Sequence, residues 1–397
     1  MRNRIFIKVY MMLLAALVSV ACGSNSGNKE SEKEAETVAE SVSNGQQAGR
    51  KAAKSERKSA RKAARKKRSL FTPTSAGSPF EMLVVAGDDA YHSGAIDTLY
   101  AILTDDVPGL SQSEPCFKVT RINKKDLSNT LRLCRNIIIV KIDPSMYSKC
   151  GMNFSKNVYA EPQIVLTIQA PNTLKFNNYV KEHAEEIVEF FTRAELNRQC
   201  DLLKEDHQPH IARQAKKMFD CDIWAPAELT SLKVGRNFMW ACGERFVRGV
   251  QQTVNLVVYS YPYRDLNTFT LDYFVHKRDS VMKVNIPGPR EGQYMMTTVP
   301  LVITSDETVH GKYAQVVRGL WNIKDYDMGG PFVSVSRVDE KNQRVIVAEG
   351  FVFFPNQAKR NIMKRLEAAL YTLRLPDELD LERYSYSLDE IVINPED

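Results

Sequence analysis

Residues 23 to 68 contain very few large apolar side chains, and this stretch limits where the chain can fold. A segment folds only when it buries enough apolar surface to offset the conformational entropy that it loses. Residues 23 to 49 are rich in Ser, Asn, Gly, Gln and Glu, so we interpret them as a flexible tether. The folded part is therefore predicted to begin near Phe71.

The first 21 residues have the pattern of a secretory signal peptide. Arg2, Arg4 and Lys8 precede an apolar run from Val9 to Ala21. That run is shorter than the roughly 20 residues that a helix needs to cross a bilayer. A permanent transmembrane anchor is therefore the weaker interpretation.

The segment Ser19-Val20-Ala21-Cys22-Gly23 resembles the bacterial lipobox, although Leu is usual where this chain has Ser19. We predict cleavage before Cys22 and acylation of that residue by palmitate-like chains, which makes the bilayer the first partner. Two or three acyl chains anchor a protein stably where one does not. The predicted location is the cell envelope, on the outer membrane facing the periplasm. The alternative is ordinary cleavage that leaves Cys22 an incidental thiol.

Residues 50 to 68 carry eleven Lys or Arg and one Glu, a local charge of +10. At helical spacing the alanines share one side and the basic residues cover the rest. One hypothesis is a conditional helix on an anionic envelope surface or polymer, and the alternative is a solvated spacer. The contact residues predicted for such a surface are Arg50, Lys51, Lys54, Arg57, Lys58, Arg61, Lys62 and Arg65.

The formal net charge of +6 comes from this basic segment and the signal peptide, and the folded remainder is mildly acidic. This distribution argues against nucleic acid as a partner of the folded part.

The cysteine spacing contains no C-x-x-C motif, and the sequence predicts neither a metal site nor a cofactor. An oxidising envelope permits disulfides, but six thiols allow fifteen pairings, so the pairing stays open. The six residues concerned are Cys116, Cys134, Cys150, Cys200, Cys221 and Cys242.

Apolar periodicity predicts an α+β class for the folded part. In the first half we predict strands over 80–86, 117–122, 136–142 and 162–170, and helices over 94–103, 126–134 and 173–204. In the second half we predict strands over 237–242, 253–261, 299–304, 313–322, 332–338 and 344–354, and helices over 211–219, 267–283 and 357–373.

Both halves end as a strand, a Pro-Asn turn and an amphipathic helix, at Pro171-Asn172 and Pro355-Asn356. This similarity predicts two α+β units, 71–205 and 206–375, each a mixed or antiparallel sheet with packed helices. A tandem duplication would explain it.

Residues 376–397 carry eight Asp or Glu against one Arg, a local charge of −7. A solvated acidic tail is the default expectation for such a segment. A second hypothesis has this tail dock on the basic segment until an anionic polymer competes for it.

The second half contains several distinctive runs that resemble the domain-of-unknown-function family 4837 of Bacteroides-type lipoproteins. The resemblance covers roughly residues 78 to 375, and it implies no established activity. The runs are Tyr259-Ser260-Tyr261-Pro262-Tyr263, Phe269-Thr270-Leu271-Asp272-Tyr273, Lys277-Arg278-Asp279-Ser280, Gly288-Pro289-Arg290-Glu291-Gly292, Arg318-Gly319-Leu320-Trp321 and Gly329-Gly330-Pro331-Phe332-Val333-Ser334.

Three polar residues are weak candidates for catalysis or metal binding. Asp272, His276 and Asp279 lie at i, i+4 and i+7 of a predicted helix and would share one face. Such sets bind metals or transfer protons. The alternative is a solvated face.

Two other groups are candidates for binding. Tyr259, Tyr261 and Tyr263 alternate along a strand, where their rings could stack on sugars or peptides or pack in the core. Arg290, Glu291, Arg318 and Trp321 lie among glycines, as loop recognition residues do. Those glycines could instead serve tight turns.

Two functions fit the sequence. The first is a non-enzymatic envelope lipoprotein that binds or scaffolds an envelope polymer, glycan or protein. The second is an envelope hydrolase or metal-dependent enzyme that uses Asp272 and His276 with the loop around Arg290 and Arg318. No nucleophile or nucleotide motif supports an enzyme. A deep polar pocket would favour the enzyme, and a shallow aromatic face would favour the binder.

Overall fold

The computed structural model describes residues 72–381 and residue 388. The signal peptide, Cys22, the tether and the basic segment 50–68 lie outside the described residues. Residues 382–387 and 389–397 of the acidic tail lie outside them as well. The described residues all belong to one compact unit of the chain.

Five strands form the first sheet: β1 (Glu81–Ala86), β2 (Lys118–Asn123), β3 (Asn136–Ile142), β4 (Gly151–Lys156) and β5 (Ile164–Ala170). Their order is β2-β1-β3-β5-β4. Neighbouring strands are parallel except β4 and β5, which form an antiparallel pair. The apolar runs in β1, β3 and β5 place buried residues on both faces, as expected for inner strands of a parallel sheet.

Helices cover one face of this sheet: α1 (Asp88–His92), α2 (Ala95–Leu103), α3 (Thr173–Glu182) and α4 (Ala184–Glu205). The other face is covered by two 3-10 turns, Lys124–Asp126 and Leu131–Leu133. These turns replace the helix predicted over 126–134. The intervening Ser128, Asn129 and Thr130 are poor helix formers, so the segment breaks into turns.

The helix predicted over 173–204 is two helices, because the chain breaks at His183. His183 ends α3 and precedes α4, with backbone angles that continue neither helix. Its ring lies 4.3 Å from the Tyr179 ring, and its Nδ1 lies 2.6 Å from a Glu186 carboxylate oxygen. The apolar spacing continues through this break, so the pattern alone did not reveal it.

Eight strands form the second sheet. In space, seven of them follow the order β10-β11-β12-β13-β8-β7-β6, while β9 pairs with β11. All the pairings are antiparallel. The bounds are β6 (Ser231–Gly235), β7 (Phe238–Val247), β8 (Val250–Pro262), β9 (Met295–Thr297), β10 (Ile303–Val309), β11 (Lys312–Ile323), β12 (Tyr326–Asp339) and β13 (Arg344–Phe353).

Helices pack on both faces of the second sheet. The helix α6 (Leu271–Asn285) follows a 3-10 turn (Leu266–Phe269) and covers one face. The helices α5 (Pro209–Phe219) and α7 (Arg360–Tyr371) cover the other face, together with the second half of α4. A further 3-10 turn, Val299–Leu301, precedes β10 where a strand was predicted. Pro300 lies within this turn, and its missing N–H disfavours a strand there.

The predicted α+β class with two sheets is confirmed. The tandem duplication suggested with it is not supported by the topology. The first sheet is mostly parallel with five strands, whereas the second is antiparallel with eight. Parallel neighbours need crossover connections and antiparallel neighbours need hairpins, so the two connectivities are not copies of one unit.

The acidic tail does not begin as a solvated segment, contrary to the default expectation. Glu378 is 2% exposed, and its carboxylate accepts hydrogen bonds from the buried guanidinium of Arg337. Leu388 is buried in the core of the first sheet. The net charge of a segment does not predict whether one of its carboxylates pairs with a buried cation.

All six described cysteines are free thiols. Burial raises the pKa of Cys200 and Cys221 to about 12, so both are protonated at neutral pH. Between residues 72 and 381, no helix is both long enough and apolar enough to cross a membrane.

Candidate functional site

The helix α6 is held on the second sheet by one buried stripe. Phe274, Arg278 and Met282 lie at i, i+4 and i+8 and are all buried. The hydroxyl of Thr270 caps the helix by accepting a hydrogen bond from the backbone N–H of Tyr273. These contacts fix the rotation of the helix about its axis.

A buried ion pair lies under the middle of α6. The guanidinium of Arg278 donates to both carboxylate oxygens of Glu349, at 2.7 to 3.1 Å, and neither side chain is exposed. Arg278 also donates to the Thr297 hydroxyl at 2.9 Å, and its guanidinium carbon lies 4.2 Å from the centre of the Phe332 ring. Because these contacts engage the whole guanidinium group of Arg278, we assign this residue a structural role.

Two tyrosines of β8 form the floor beside that pair. Tyr259 and Tyr261 alternate on the face below α6, with ring centroids 6.3 Å apart. The Tyr261 ring lies 6.1 Å from the Tyr273 ring of α6. Burial raises the pKa of both β8 phenols well above the usual value, so they stay neutral at physiological pH.

A small surface cavity of about 260 Å³ opens where β8 ends beside the first half of α6. We call it the α6 cavity. The 3-10 turn and the helix cap place the chain so that residues from the end of β8 and one side of α6 face each other. Its lining residues are Pro262, Arg264, Tyr273, His276 and Lys277.

The α6 cavity carries positive charge with no counterion among the described residues. Lys277 Nζ lies 5.3 Å from the centre of the Tyr261 ring and 5.7 Å from that of Tyr273. No described residue forms a hydrogen bond or an ion pair with the side chain of Arg264, His276 or Lys277. No acidic residue lines the cavity. The arrangement can therefore accept an anionic group beside aromatic surface.

The comparison with protein families bears on this half of the chain. Residues 208–372 match the family described as Domain of unknown function (DUF4837). The predicted resemblance to this domain family is confirmed for this region, which contains α6 and its cavity. The resemblance was placed too broadly, because residues 75–204 match another family, Domain of unknown function (DUF8532).

Comparisons with individual proteins add no function to the DUF4837 region. No curated protein matches the chain significantly. Among solved structures, the chain is similar to the Saccharomyces cerevisiae Ran-binding protein Mog1p at 10% identity and a TM-score of 0.25. That match covers 39% of this chain and 90% of the other. Similarity at this level carries no inference.

The three weak catalytic candidates have different surroundings in the structure. Asp279 Oδ1 accepts hydrogen bonds from the backbone N–H and the hydroxyl of Thr297, at 2.9 and 2.6 Å. Asp272 is exposed in the first turn of α6, and only His276 lines the cavity. Within the described ranges, no group of three His, Cys, Asp or Glu side chains could hold a metal ion.

The three alternating tyrosines do not form an exposed stacking surface. Tyr259 and Tyr261 are buried in the core below α6. Tyr263 is half-buried and packs with its ring centroid 6.2 Å from that of Phe269. Core packing, the alternative stated above, describes the first two rings.

The four candidate loop residues also separate in the structure. Arg290 and Glu291 are exposed in a turn. Arg318 and Trp321 lie on β11, an odd number of residues apart, so their side chains point to opposite faces. Arg318 pairs with Glu367 of α7 on one face, and Trp321 packs on the Phe351 ring on the other.

Four of the five lining residues were not predicted as site residues, namely Pro262, Arg264, Tyr273 and Lys277. Tyr273 and Lys277 lie at i and i+4 of α6, a spacing that brings a cation near a ring. They also lie within the runs that carry the family resemblance. This signal was present, but the approach of Arg264 from the preceding turn depends on the tertiary structure.

Proposed function

We propose that this protein is a non-enzymatic lipoprotein of the cell envelope, anchored through acylated Cys22. It lies on the outer membrane and faces the periplasm. The tether and the basic segment 50–68 hold the folded part near an anionic envelope surface or polymer. The DUF4837 region binds an envelope polymer or protein through the α6 cavity.

One observation carries the binding role: the lining of the α6 cavity combines the unpaired cations Arg264 and Lys277 with the ring of Tyr273 and contains no acidic residue. Catalysis by acid and base requires a proton acceptor within hydrogen-bond reach of a nucleophile or substrate. Neither Asp272 nor Asp279 lines the cavity beside His276, and the Asp279 carboxylate is occupied by Thr297. This geometry supports a binding role, and it does not favour the hydrolase or metal-dependent enzyme.

The anchor is tested by fractionating intact cells and by mass spectrometry of the mature amino terminus. We expect the protein in the membrane fraction with acyl chains on Cys22. The Cys22→Ser variant should leave that fraction, because it lacks the acceptor thiol. A wild-type protein that is unacylated and stays in the aqueous fraction would contradict the anchor.

The binding role is tested by crosslinking in intact cells. A photoreactive phenylalanine replaces His276 at the cavity, and a matched chain carries it at Arg248, in the exposed turn between β7 and β8. We expect a discrete adduct of glycan or protein from position 276 alone. Equal adducts from both positions, or none from position 276, would contradict binding at the cavity.

A further inference from the structure

We infer that the α6 cavity binds an acidic sugar, a pyranose ring that carries a carboxylate, within an envelope polysaccharide. This inference rests on the binding role proposed above and names its ligand. It depends on the cations, the apolar lining and the size of the cavity.

The cations favour an anionic ligand. Arg264 and Lys277 both reach the cavity without an ion-pair partner among the described residues. A guanidinium and an ammonium beside one another repel, and a carboxylate between them relieves that repulsion while accepting charge-assisted hydrogen bonds. His276 adds a third hydrogen-bonding group to the same lining.

The remaining lining favours a sugar over a free anion. Tyr273 and Pro262 provide apolar surface beside the cations, which a small inorganic anion would leave uncovered. The volume of about 260 Å³ lies below the roughly 300 to 1,000 Å³ of pockets for drug-sized ligands. We therefore expect one ring of a polymer to enter, with the flanking units outside.

A membrane surface is the competing ligand. Leu266 is 80% exposed in the turn that precedes α6, and an apolar side chain beside cations also suits anionic lipid. However, a headgroup phosphate would contact the cations from a flat surface and would not need a concave site. The concave lining is the reason for preferring the sugar.

The test measures binding of the full-length mature protein in detergent by isothermal titration calorimetry. The probe is the trisaccharide of galacturonic acid, and its control is the neutral methyl ester of the same trisaccharide. We expect the acid to bind at least tenfold more tightly than the ester, because only the acid pairs with Arg264 and Lys277. Inorganic phosphate and phosphatidylglycerol vesicles are measured in parallel.

Two variants distinguish binding of the acid at the cavity from binding at the basic segment 50–68, which also attracts anions. Lys277→Gln should weaken binding of the acid about tenfold. Lys283→Gln is the matched control, because Lys283 also lies on α6 with its Nζ 5.0 Å from a tyrosine ring, but outside the cavity. It should change binding less than twofold. Thermal unfolding confirms that each variant is folded.

Equal binding of acid and ester, equal losses in the two lysine variants, or no binding of the acid would overturn the inference. Binding of phosphate or vesicles with the same dependence on Lys277 would overturn the sugar and identify an anionic headgroup. Crosslinking at position 276 is independent of these outcomes. An adduct there without binding of the acid leaves the binding role standing and removes only its proposed ligand.

Discussion

Three arginines of the second half pair with carboxylates from other segments; the side chains of Arg278 and Arg337 are fully buried, and that of Arg318 is mostly buried. Such pairs add little net stability, because desolvation offsets their attraction, but removing one partner leaves a costly buried charge. They therefore hold separate elements in one arrangement. The pairs are Arg278 with Glu349, Arg337 with Glu378, and Arg318 with Glu367.

The first prediction concerns how much Glu367 contributes to the stability of the protein at different pH values. Burial alone would raise its pKa, but Arg318 and Lys364 outweigh burial and lower the pKa to about 2, from 4.5. A carboxyl group whose pKa is lower in the folded protein than in the unfolded chain stabilises the fold at pH values above the unfolded-state pKa. This stabilisation is lost as the pH falls through the folded-state pKa. Glu367→Gln should cost about 3 kcal/mol at pH 7, and the difference from wild type should shrink between pH 4.5 and 2.

Urea denaturation across that pH range measures the effect. Glu291→Gln is the control, because Glu291 is exposed and should show no such pH dependence. A Glu367→Gln difference that stays constant down to pH 2 would contradict the assignment.

The second prediction concerns the pair below α6. Arg278→Leu alone should lower the free energy of unfolding by about 3 to 5 kcal/mol, because the buried carboxyl group of Glu349 loses its charged partner. Adding Glu349→Leu should recover most of that loss. The exposed pair of Lys216 and Asp220 is the control, with a coupling below about 1 kcal/mol. Additive losses at Arg278 and Glu349 would refute the coupling.

At the scale of elements, the same Pro-Asn pair acts differently in the two halves. Asn172 caps α3, since its side-chain oxygen accepts a hydrogen bond from the backbone N–H of Lys175 at 2.9 Å. Asn356 instead has a positive φ of 56° in a turn before α7. The backbone N–H groups at the start of α7 donate to the carboxylate of Glu114, from the segment between α2 and β2, at 2.7 and 2.9 Å.

The third prediction follows from this difference. Asn172→Ala should lower the free energy of unfolding by about 1 kcal/mol, because α3 loses its capping oxygen. Asn172→Asp keeps an acceptor and should stay within a few tenths of a kcal/mol of wild type. Urea denaturation measures both, and equal losses in the two variants would disprove the cap.

At the scale of the whole molecule, α4 joins the two cores. Its first half buries Phe190, Phe191 and Ala194 in the core of the first sheet. Its second half buries Leu196, Cys200 and Leu203 in the core of the second sheet. Because one continuous helix belongs to both cores, we expect the two sheets to unfold together.

The fourth prediction tests this coupling with tryptophan fluorescence. All three tryptophans, Trp224, Trp240 and Trp321, follow α4 in the chain and report on the second half. Phe191→Ala, in the first core, should cost about 3 to 5 kcal/mol and shift the tryptophan transition. Phe246→Ala is the control, because Phe246 is 71% exposed. An unshifted tryptophan transition in Phe191→Ala would show that the halves unfold separately.

The sequence by itself determined the α+β class, most of the longer strands and helices, and the resemblance of the second half to the DUF4837 family. These features depend on local periodicity and on short runs of residues, which a single chain displays directly. The strands β4, β6 and β9 were missed, since they are short and partly exposed, and their pairing partners define them.

Only the tertiary structure decided which polar residues meet. Asp279 and His276 share a predicted helix face, yet Thr297 of β9 takes the carboxylate, while Arg264 approaches His276 and Lys277 from the turn after β8. The parallel order of the first sheet and the antiparallel order of the second were also settled at this level. Each depends on which distant segments pack together and pair their buried polar groups, and no single window of the sequence contains both partners.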